Sequence, residues 1–423
     1  METGFSRIKQ LVSEHPNRKL QTLMHLVNVE TLKEAHEKME AGKASGVDEV
    51  TKGEYEKNLE YNLENLINRM KTFSYHPQPA RRVYIEKEGK KELRPLGIPA
   101  YEDKLVQSVI SEILETIYEP MFLGCSYGFR KGLSQHDAIK YLNKSLFGQV
   151  NWVVDVDIKA FFDTVNHEWL MKCLEHRIQD KNLLRYIVRF LKAGIMENGR
   201  FIDTENGVPQ GGCCSPILSN IYLHFAVDLW FEIRAKKKCQ GYADMVRYAD
   251  DIVFCFQHEE EAKAFYETLK ARLKEAGLEL SEEKSKIIRF GRTAGKDAET
   301  FDFLGFTVVT GKSRKGKYIP KMKTSEKKLK TKRVKVKEWL QKKRHLPIRE
   351  LIYKTNARLR GHYNYYGISH NYEKLKGFFR FVTQELKKTL NRRSQKDKTD
   401  WLKFNKILKN FPLVKPKIMV PLW

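Results

Sequence analysis

The sequence lacks any apolar stretch long enough to cross a bilayer, since its 423 residues contain no run of about 18 apolar residues. The first nineteen residues, Met1 to Lys19, also lack the apolar core of a secretory signal peptide. We therefore expect a protein of the cytoplasm with no membrane partner.

Cysteine is scarce, and none of the six cysteines has C-x-x-C spacing: Cys125, Cys173, Cys213, Cys214, Cys239 and Cys255. This scatter disfavours a zinc knuckle and a disulfide framework, and it fits a reducing compartment. We interpret all six as packing residues.

Acidic residues are outnumbered, with 53 Asp and Glu against 78 Lys and Arg, so that the formal net charge is +25. Such a charge indicates a polyanionic partner, either nucleic acid or an acidic membrane surface. Because no membrane segment is found, nucleic acid is the leading interpretation. The length is sufficient for two or three domains.

The pattern along the chain changes near residue 310. Residues 20–75 have helical spacing, "YHPQPARRVYIEKEGKKELRPLGIP" predicts two strands around a turn, and "YEDKLVQSVISEILETIYEPMF" predicts an amphipathic helix closed by Pro120. A mixed α/β core follows from about 125 to 306. Residues 311–344 then contain sixteen Lys or Arg against two Glu. The remainder is basic, mostly helical and rich in Tyr and Phe.

Acidic residues interrupt two apolar runs, "NWVVDVDIKAFFDTVNH" and "VRYADDIVFCF". In a strand over 153–158, Asp155 and Asp157 share one face. Asp250 and Asp251 would occupy the tip of a hairpin. If that hairpin pairs beside the first strand, three carboxylates converge, and two divalent ions about 3.5–4 Å apart would neutralise them and support phosphoryl transfer.

Further signals follow in order along the chain. "NGVPQGGCCSPILSNIYL" joins a Gly-rich loop to a helix start, with Ser215 predicted as the N-cap and Pro216 as the first helical residue. "GLELSEEKSKIIRF" places Lys284 at a strand or turn edge, and "FDFLGF" comes after it.

Taken together, the segments resemble reverse transcriptases of the bacterial group II intron type, without an endonuclease domain. The blocks that carry the resemblance are "RRVYIEKEGKKELRPLGIP", "YGFRKGLSQHDAI", "VDVDIKAFFDTVNH", "GVPQGGCCSPILSNIYL", "RYADDIVF" with its YADD motif, "EEKSKI" and "FLGF". The resemblance implies an α/β (α+β) right-hand polymerase. Its parts would be an N-terminal extension over 1–30, fingers over 31–135, palm over 136–310 and a basic helical thumb, or maturase domain, over 311–423.

The same resemblance assigns Asp157, Asp250 and Asp251 as ligands of two Mg²⁺ ions, for which Mn²⁺ is a possible substitute. Asp155 and Asp163 stay open as structural neighbours or alternatives. Lys284 resembles a general acid for pyrophosphate, and the alternative is a surface lysine beside Glu282 and Glu283.

Phe162 matches the aromatic gate that rejects a 2′-hydroxyl, so the resemblance implies dNTPs as substrates. Lys87 and Arg94 match triphosphate-binding bases, and Arg offers a bidentate contact. Family members usually have proline before the first of these, whereas here Glu86 stands there. A plain basic hairpin is the alternative. Gln210 and Gly211 resemble the loop that contacts template and incoming nucleotide.

Several residues are expected to contact the RNA template or the RNA/DNA duplex: Arg130, Tyr248, Lys328, Lys332, Arg333, Arg360 and Tyr363. The segment "ARLRGHYNYYG" carries the resemblance to the maturase domain. For Tyr363 and Tyr366 the i,i+3 spacing also favours a core stripe. The basic run over 312–344 has a solvated helix face as its alternative.

Three functions are compatible with these signals. The first is RNA-directed DNA synthesis by an intron-encoded enzyme. The second is a maturase role, in which the protein binds group II intron RNA and assists splicing. The third is a polymerase captured for phage defence or DNA repair. Since "FPLVKPKIMVPLW" closes the sequence soon after the thumb, cleavage of target DNA by this chain is not expected.

Overall fold

A computed structural model describes residues 4–86, 93–393 and 399–422. The chain divides into two compact units. The first contains residues 1–138, 154–254 and 260–287, and the second contains 139–153, 255–259 and 288–423. These units do not follow the predicted boundaries at 30, 135 and 310, which stay a prediction about functional parts.

The N-terminal part of the first unit is mainly helical. The prediction of helix over residues 20–75 holds only in part, because loops separate the helices there. The helices are α1 (Gly4–Glu14), α2 (Val29–Lys38), α3 (Lys52–Glu56), α4 (Leu59–Lys71) and α5 (Tyr101–Tyr118). Capping boxes begin two of them, with Asn28 before α2 and Thr51 before α3. Helix α5 buries most of its length, and it gives way at Glu119–Met121 to a 3₁₀ turn that contains Pro120. The predicted closure at Pro120 is thus confirmed.

The remaining helices before residue 280 are mostly short. They are α6 (Gln135–Leu146), α7 (Phe161–Thr164), α8 (His167–Glu175), α9 (Lys181–Leu191), α10 (Ser215–Leu223) and α11 (Glu259–Glu275). Helix α10 continues into two π-helical turns, His224–Asp228 and Phe231–Ala235.

The beginning of α10 differs from the prediction. Ser215 lies inside the helix and Cys214 is the cap residue. The Ser215 hydroxyl donates to the carbonyl of Pro209 at 2.6 Å, so it fastens the preceding loop instead of accepting a backbone N–H.

Eleven strands are found in the described ranges, and they form three sheets. They are β1 (Ala80–Glu86), β2 (Leu93–Ile98), β3 (Trp152–Asp157), β4 (Ile195–Glu197), β5 (Arg200–Ile202), β6 (Ala243–Tyr248), β7 (Asp251–Phe256), β8 (Lys286–Arg289), β9 (Phe301–Phe303), β10 (Phe306–Lys312) and β11 (Tyr318–Thr324). The sheet orders are β2-β1-β4-β5, β6-β7-β3-β8 and β11-β10-β9. The predicted basic hairpin is the antiparallel pair β1 and β2.

The second unit ends in four helices, α12 (Glu326–Lys342), α13 (Ile348–Tyr366), α14 (Tyr372–Asn391) and α15 (Trp401–Asn410). The buried residues of α12 are the apolar Leu329, Val336 and Leu340, although most residues of that helix are basic or polar. Mixed helices and sheets with a helical C-terminal part confirm the α/β (α+β) class that the sequence predicts.

Candidate active site

The predicted hairpin with two acidic residues at its tip is formed by β6 and β7. Asp250 occupies the turn and Asp251 begins β7. Ala249 has a φ of 56°, a left-handed conformation that turns the chain within two residues. Strand β7 lies beside β3, whose last residue is Asp157. The N–H of Asn151, just before β3, donates to the carbonyl of Phe256 at the end of β7, so the two strands run antiparallel and Asp157 lies at the end of β3 nearer the turn.

Asp250 and Asp157 influence each other electrostatically. Burial raises the pKa of Asp250 above its ordinary value, and the negative charge of Asp157 raises it further. The positive charges of Arg94 and Arg247 lower it, but they do not outweigh burial. Two carboxylates whose negative charges oppose each other form a site where a bound cation is favoured.

Asp157 also has a lysine partner. The Lys284 ammonium lies 2.9 Å from Asp157 Oδ2, and both side chains are about half exposed. The backbone of Asp157 is held as well, because its N–H donates to Ser285 Oγ and its carbonyl accepts from Ser281 N–H. Glu282, two residues before Lys284 in the sequence, pairs with Lys270. Lys284 is thus an exposed lysine that contacts Asp157, and its role as a general acid stays a prediction.

The two acids left open in the sequence have different positions. Asp155 is half-buried in β3, two residues before Asp157. Asp163 is exposed in the short helix α7, and its N–H donates to the carbonyl of Ala160. Both positions are compatible with the role of structural neighbour that the sequence leaves open for these two acids.

The Gly-rich loop lies against the β1–β2 pair. The N–H of Gly97 in β2 donates to the carbonyl of Gln210 at 2.6 Å. Gly211 has a φ of +112°, and a Cβ there would lie 2.7 Å from the carbonyl oxygen of Gly97. Both its conformation and this close approach require glycine. The loop is therefore fixed to the strand that carries Arg94.

Phe162 contacts this loop through its backbone, and it lines a cavity together with residues of the loop. Its carbonyl accepts from the N–H of Val208 at 2.7 Å. A cavity of about 390 Å³ is lined by Phe162, Gln210, Gly97 and Arg82, among others. Phe161 is buried while Phe162 is half-buried, so Phe161 is the core residue of the pair. Lys87 lies outside the described residues.

Arg130 and Tyr248 occupy the neighbourhood of the turn. The Arg130 guanidinium donates to Glu119 and to the carbonyls of Leu123 and Ser126. These bonds hold the backbone around Ser126 in place. Contact between Arg130 and the template stays a prediction. Tyr248 ends β6 and is half-buried.

Among the predicted thumb residues, Arg360 is exposed while Lys328, Lys332 and Arg333 are half-buried. The Arg333 guanidinium lies over the ring of Phe381, 5.6 Å from its centroid. Tyr363 is 2% exposed and its hydroxyl donates to the carbonyl of Val414. This corrects its predicted contact with template or primer, because a ring without solvent access offers no face to a base. The core stripe suggested by its spacing with Tyr366 is what is found.

The candidate site offers few protein ligands for magnesium. In the described ranges, no group of three or more His, Cys, Asp or Glu side chains is arranged to hold a metal ion. Magnesium in polymerase-type sites is commonly held by one or two carboxylates, with water and substrate phosphates completing its shell. Asp157 and Asp250 fit that pattern, and Asp251 as a further ligand stays a prediction.

Sequence reasoning missed Arg247, which lies three residues before Asp250. Its side chain is fully buried and pairs with the fully buried Asp228. The charged residue before the acidic turn in "MVRYADDIVF" was a signal, because arginine is rarely buried without a partner. The partner lies in a π-helical turn, which the sequence pattern does not predict.

Comparison with known proteins supports the polymerase resemblance. Residues 85–308 match the family described as reverse transcriptase (RNA-dependent DNA polymerase), which is more than half of the chain. The chain belongs to the reverse transcriptase family. Residues 329–406 match the group II intron maturase-specific domain. The acidic hairpin and the basic helical part thus fall in two successive family matches.

Individual relatives agree with this membership. The chain is 36% identical over 245 residues to the group II intron-encoded protein LtrA of Lactococcus lactis, which covers 56% of this chain and 41% of LtrA. It is 33% identical over 336 residues to protein YkfC of Escherichia coli K12, covering 71% of this chain and 86% of YkfC. A third relative is the mitochondrial nuclear intron maturase 4 of Arabidopsis thaliana, 29% identical over 130 residues, covering 30% of this chain and 16% of the relative.

The match to LtrA thus spans less than half of that relative's length. The described helices include none that combines the length and the apolar composition needed to span a membrane.

Proposed function

We propose that this chain is an RNA-directed DNA polymerase that extends a primer 3′-hydroxyl with dNTPs on an RNA template. We further propose that it is encoded by a group II intron and works in the cytoplasm. The observation that carries the proposal is the pairing of Asp157 with Lys284 beside Asp250, within a chain of the reverse transcriptase family.

Magnesium would be held by Asp157 and Asp250, with Asp251 beside them. The bound ions would activate the primer 3′-oxygen and neutralise charge on the departing pyrophosphate, and Mn²⁺ could substitute for them. The protein's own contribution is to hold one carboxylate at the end of β3 and the other in the turn before the adjacent strand β7, so that little reorganisation is needed when substrate binds. Lys284 would hold a proton near the departing pyrophosphate.

The nucleotide would lie between the turn and the fingers hairpin. Arg94, whose charge reaches Asp250, would bind the triphosphate, and Lys87 would assist it. Gln210 and Gly211 would contact the base pair being formed. Phe162 would exclude a ribose 2′-hydroxyl by contact with its ring.

The second unit would hold the nucleic acid. Lys328, Lys332, Arg333 and Arg360 would contact phosphates of the template–primer duplex, whose shape and backbone carry most of the affinity. The match to a maturase-specific domain supports group II intron RNA as a further partner. Arg130 and Tyr248 would border the primer terminus.

Primer extension on an RNA template with dNTPs and Mg²⁺ tests the polymerase proposal. Asp250→Asn should reduce synthesis by at least about 10³-fold, since a neutral amide is a poor magnesium ligand. Asp297→Asn removes the same charge at an exposed position paired with Arg289, and it should leave synthesis unchanged. Equal activity of the Asp250 variant and the wild type would overturn the site assignment.

A role in RNA splicing is the second candidate, favoured by the maturase-specific match. Splicing of the intron that surrounds the gene should depend on the protein at low magnesium and should survive Asp250→Asn. Splicing that proceeds equally without the protein would end this candidate. A gene without surrounding intron RNA would instead favour a captured polymerase in phage defence or DNA repair.

A further inference from the structure

Arg247 is a fully buried arginine three residues before Asp250, and all of its side-chain donors are used. Its Nε and Nη2 donate to the two oxygens of Asp228 at 2.7 and 2.6 Å. Nη2 also donates to Ser126 Oγ, and Nη1 donates to Asn220 Oδ1 and to the carbonyl of Ala249. The five bonds equal the five N–H groups of a guanidinium.

The last of these bonds connects the arginine to the acidic turn. The carbonyl of Ala249, 3.1 Å from Nη1, belongs to the peptide group that leads into Asp250. Ala249 is itself buried and has a φ of 56°. A peptide group whose carbonyl is fixed has little freedom to rotate, so the bond limits the directions that the Asp250 side chain can take.

The other side of the turn is also closed. A Cβ at Gly128 would lie 2.2 Å from the backbone nitrogen of Ala249, so only glycine permits this approach. The carbonyl of Gly128 accepts from Asn220 Nδ2 at 2.7 Å. Asn220 therefore binds both Arg247 and the segment that presses on the turn.

Asp228 anchors this arrangement from a π-helical turn, His224–Asp228. Single π-helical turns are frequent at functional sites. His224, whose Nδ1 lies 3.9 Å from Asp228, is kept neutral because burial lowers its pKa to about 4. Arg247 is therefore the cation that balances Asp228.

Stability alone is a poor reason for this pair. A buried ion pair can often be replaced by apolar side chains of similar volume without loss of stability, because desolvation cancels the attraction. What an apolar pair would not provide is a directed bond to the carbonyl of Ala249.

We propose that Arg247, anchored by Asp228, is a positioning residue that fixes the Ala249–Asp250 peptide and thereby orients Asp250 toward the candidate metal centre. This proposal rests on the proposed function of the same site. It adds a residue that touches neither the nucleotide nor the reacting atoms.

Arg247→Lys tests the proposal, since lysine keeps the charge but cannot bridge Asp228, Ser126, Asn220 and Ala249 together. We expect kcat for primer extension to fall about 10- to 100-fold, with KM for dNTP changed less than about 3-fold. We also expect Mn²⁺ binding, followed by electron paramagnetic resonance without nucleic acid, to weaken about 10-fold or more.

Arg177→Lys is the matched control. Arg177 is 1% exposed in the same unit, and its guanidinium donates to the carbonyl of Arg18 and to Met121 Sδ. We expect this variant to lower the melting temperature while Mn²⁺ binding and the kcat of its folded fraction stay at the wild-type level. Equal loss of Mn²⁺ binding in both variants would overturn the proposal, as would wild-type kcat and Mn²⁺ binding in folded Arg247→Lys.

Should Arg247→Lys fail to fold, Asp228→Asn and Ser126→Ala replace it. Asp228 holds the guanidinium by two bonds and Ser126 by one, so the first variant should weaken Mn²⁺ binding more than the second. The reverse order would contradict the proposal. If the wild type binds Mn²⁺ but extends no primer, the proposed function fails while the Mn²⁺ readout still decides the role of Arg247.

Discussion

Lys284 and Asp157 lie 127 residues apart in the sequence, and their side chains meet at 2.9 Å. Lys284→Met should lower the rate of nucleotide incorporation by about 10²-fold, because the proposed proton donor for pyrophosphate is lost. Single-turnover kinetics with saturating dNTP measures this step directly.

The matched control for Lys284 is Lys270→Met, which breaks the exposed pair with Glu282 nearby. Its rate should equal that of the wild type. A Lys284 variant as fast as the control would remove the proton-donor role and leave the ion pair as a structural contact.

Phe162→Ala should weaken discrimination against ribonucleotides. The half-buried ring is expected to occupy the space of a 2′-hydroxyl, and its removal should lower the ratio of kcat/KM for dNTP over rNTP by about 10- to 100-fold. Phe161→Leu, at the buried neighbour, should change stability but leave this ratio unchanged. An unaltered ratio in Phe162→Ala would contradict the gate assignment.

Gly211→Ala should disturb the loop that carries Gln210. The added Cβ would meet the carbonyl of Gly97 at 2.7 Å, in a backbone conformation with φ +112°. We expect kcat/KM for dNTP to fall about 10-fold or more. Gly42→Ala places the same substitution at φ +77° with open space around it, and it should cost stability alone. Equal kinetics for the two variants would show that the loop does not contribute.

Asp103 should make stability depend on pH. Burial raises its pKa from 3.8 to about 7, although the Tyr75 hydroxyl and the Gln78 N–H both favour the charged form. The folded state then binds the proton more tightly than the unfolded state, so this contribution to stability is lost as pH rises from about 4 to 7. The slope for one proton approaches about 1.4 kcal/mol per pH unit.

Asp103→Asn should lack this slope. Urea unfolding at a series of pH values compares it with the wild type and with the exposed Asp297→Asn, which should keep the wild-type slope. Parallel curves for all three proteins would mean that Asp103 is ionised throughout.

Lys328 and Lys332 should contribute to the salt dependence of template–primer binding. Replacing both by alanine should weaken binding and reduce the slope of log Kd against log salt by about 1 to 2, because each lysine is expected to neutralise about one phosphate. The control, Lys406→Ala with Lys409→Ala, removes the same charge from helix α15, where both lysines are exposed. A control slope that falls equally would assign the effect to net charge.

The sequence predicted features that depend on local pattern. The acidic hairpin, the β1–β2 pair and α5 follow from alternation, breakers and helical spacing, and each is found. The position of Asp157 near the Asp250 turn could be predicted, because it requires only that the two strands be neighbours in one sheet. The resemblance to reverse transcriptases was the reason to expect that strand pairing.

Features that depend on tertiary contacts were missed or misjudged. The Ser215 hydroxyl has the chemistry of an N-cap, yet the carbonyl of Pro209 is its partner. Tyr363 has an aromatic face suited to stacking, but burial removes that face. Arg247 could be noticed as a charge in an apolar strand. Its partner Asp228 could be identified only from the structure, because it lies in the π-helical turn that follows Leu223.

Neither compact unit is a single continuous stretch, since residues 139–153 and 255–259 belong with the C-terminal part. On a translating ribosome, Asp157 emerges long before Lys284, and contacts between residues so distant in sequence form late. The acidic strand of the nascent chain therefore lacks its lysine partner until 127 further residues have been synthesised. A cut after residue 287 would keep Asp157 with Lys284, but it would separate residues 139–153 and 255–259 from the rest of the second unit. This interleaving makes the chain a poor source of separable modules.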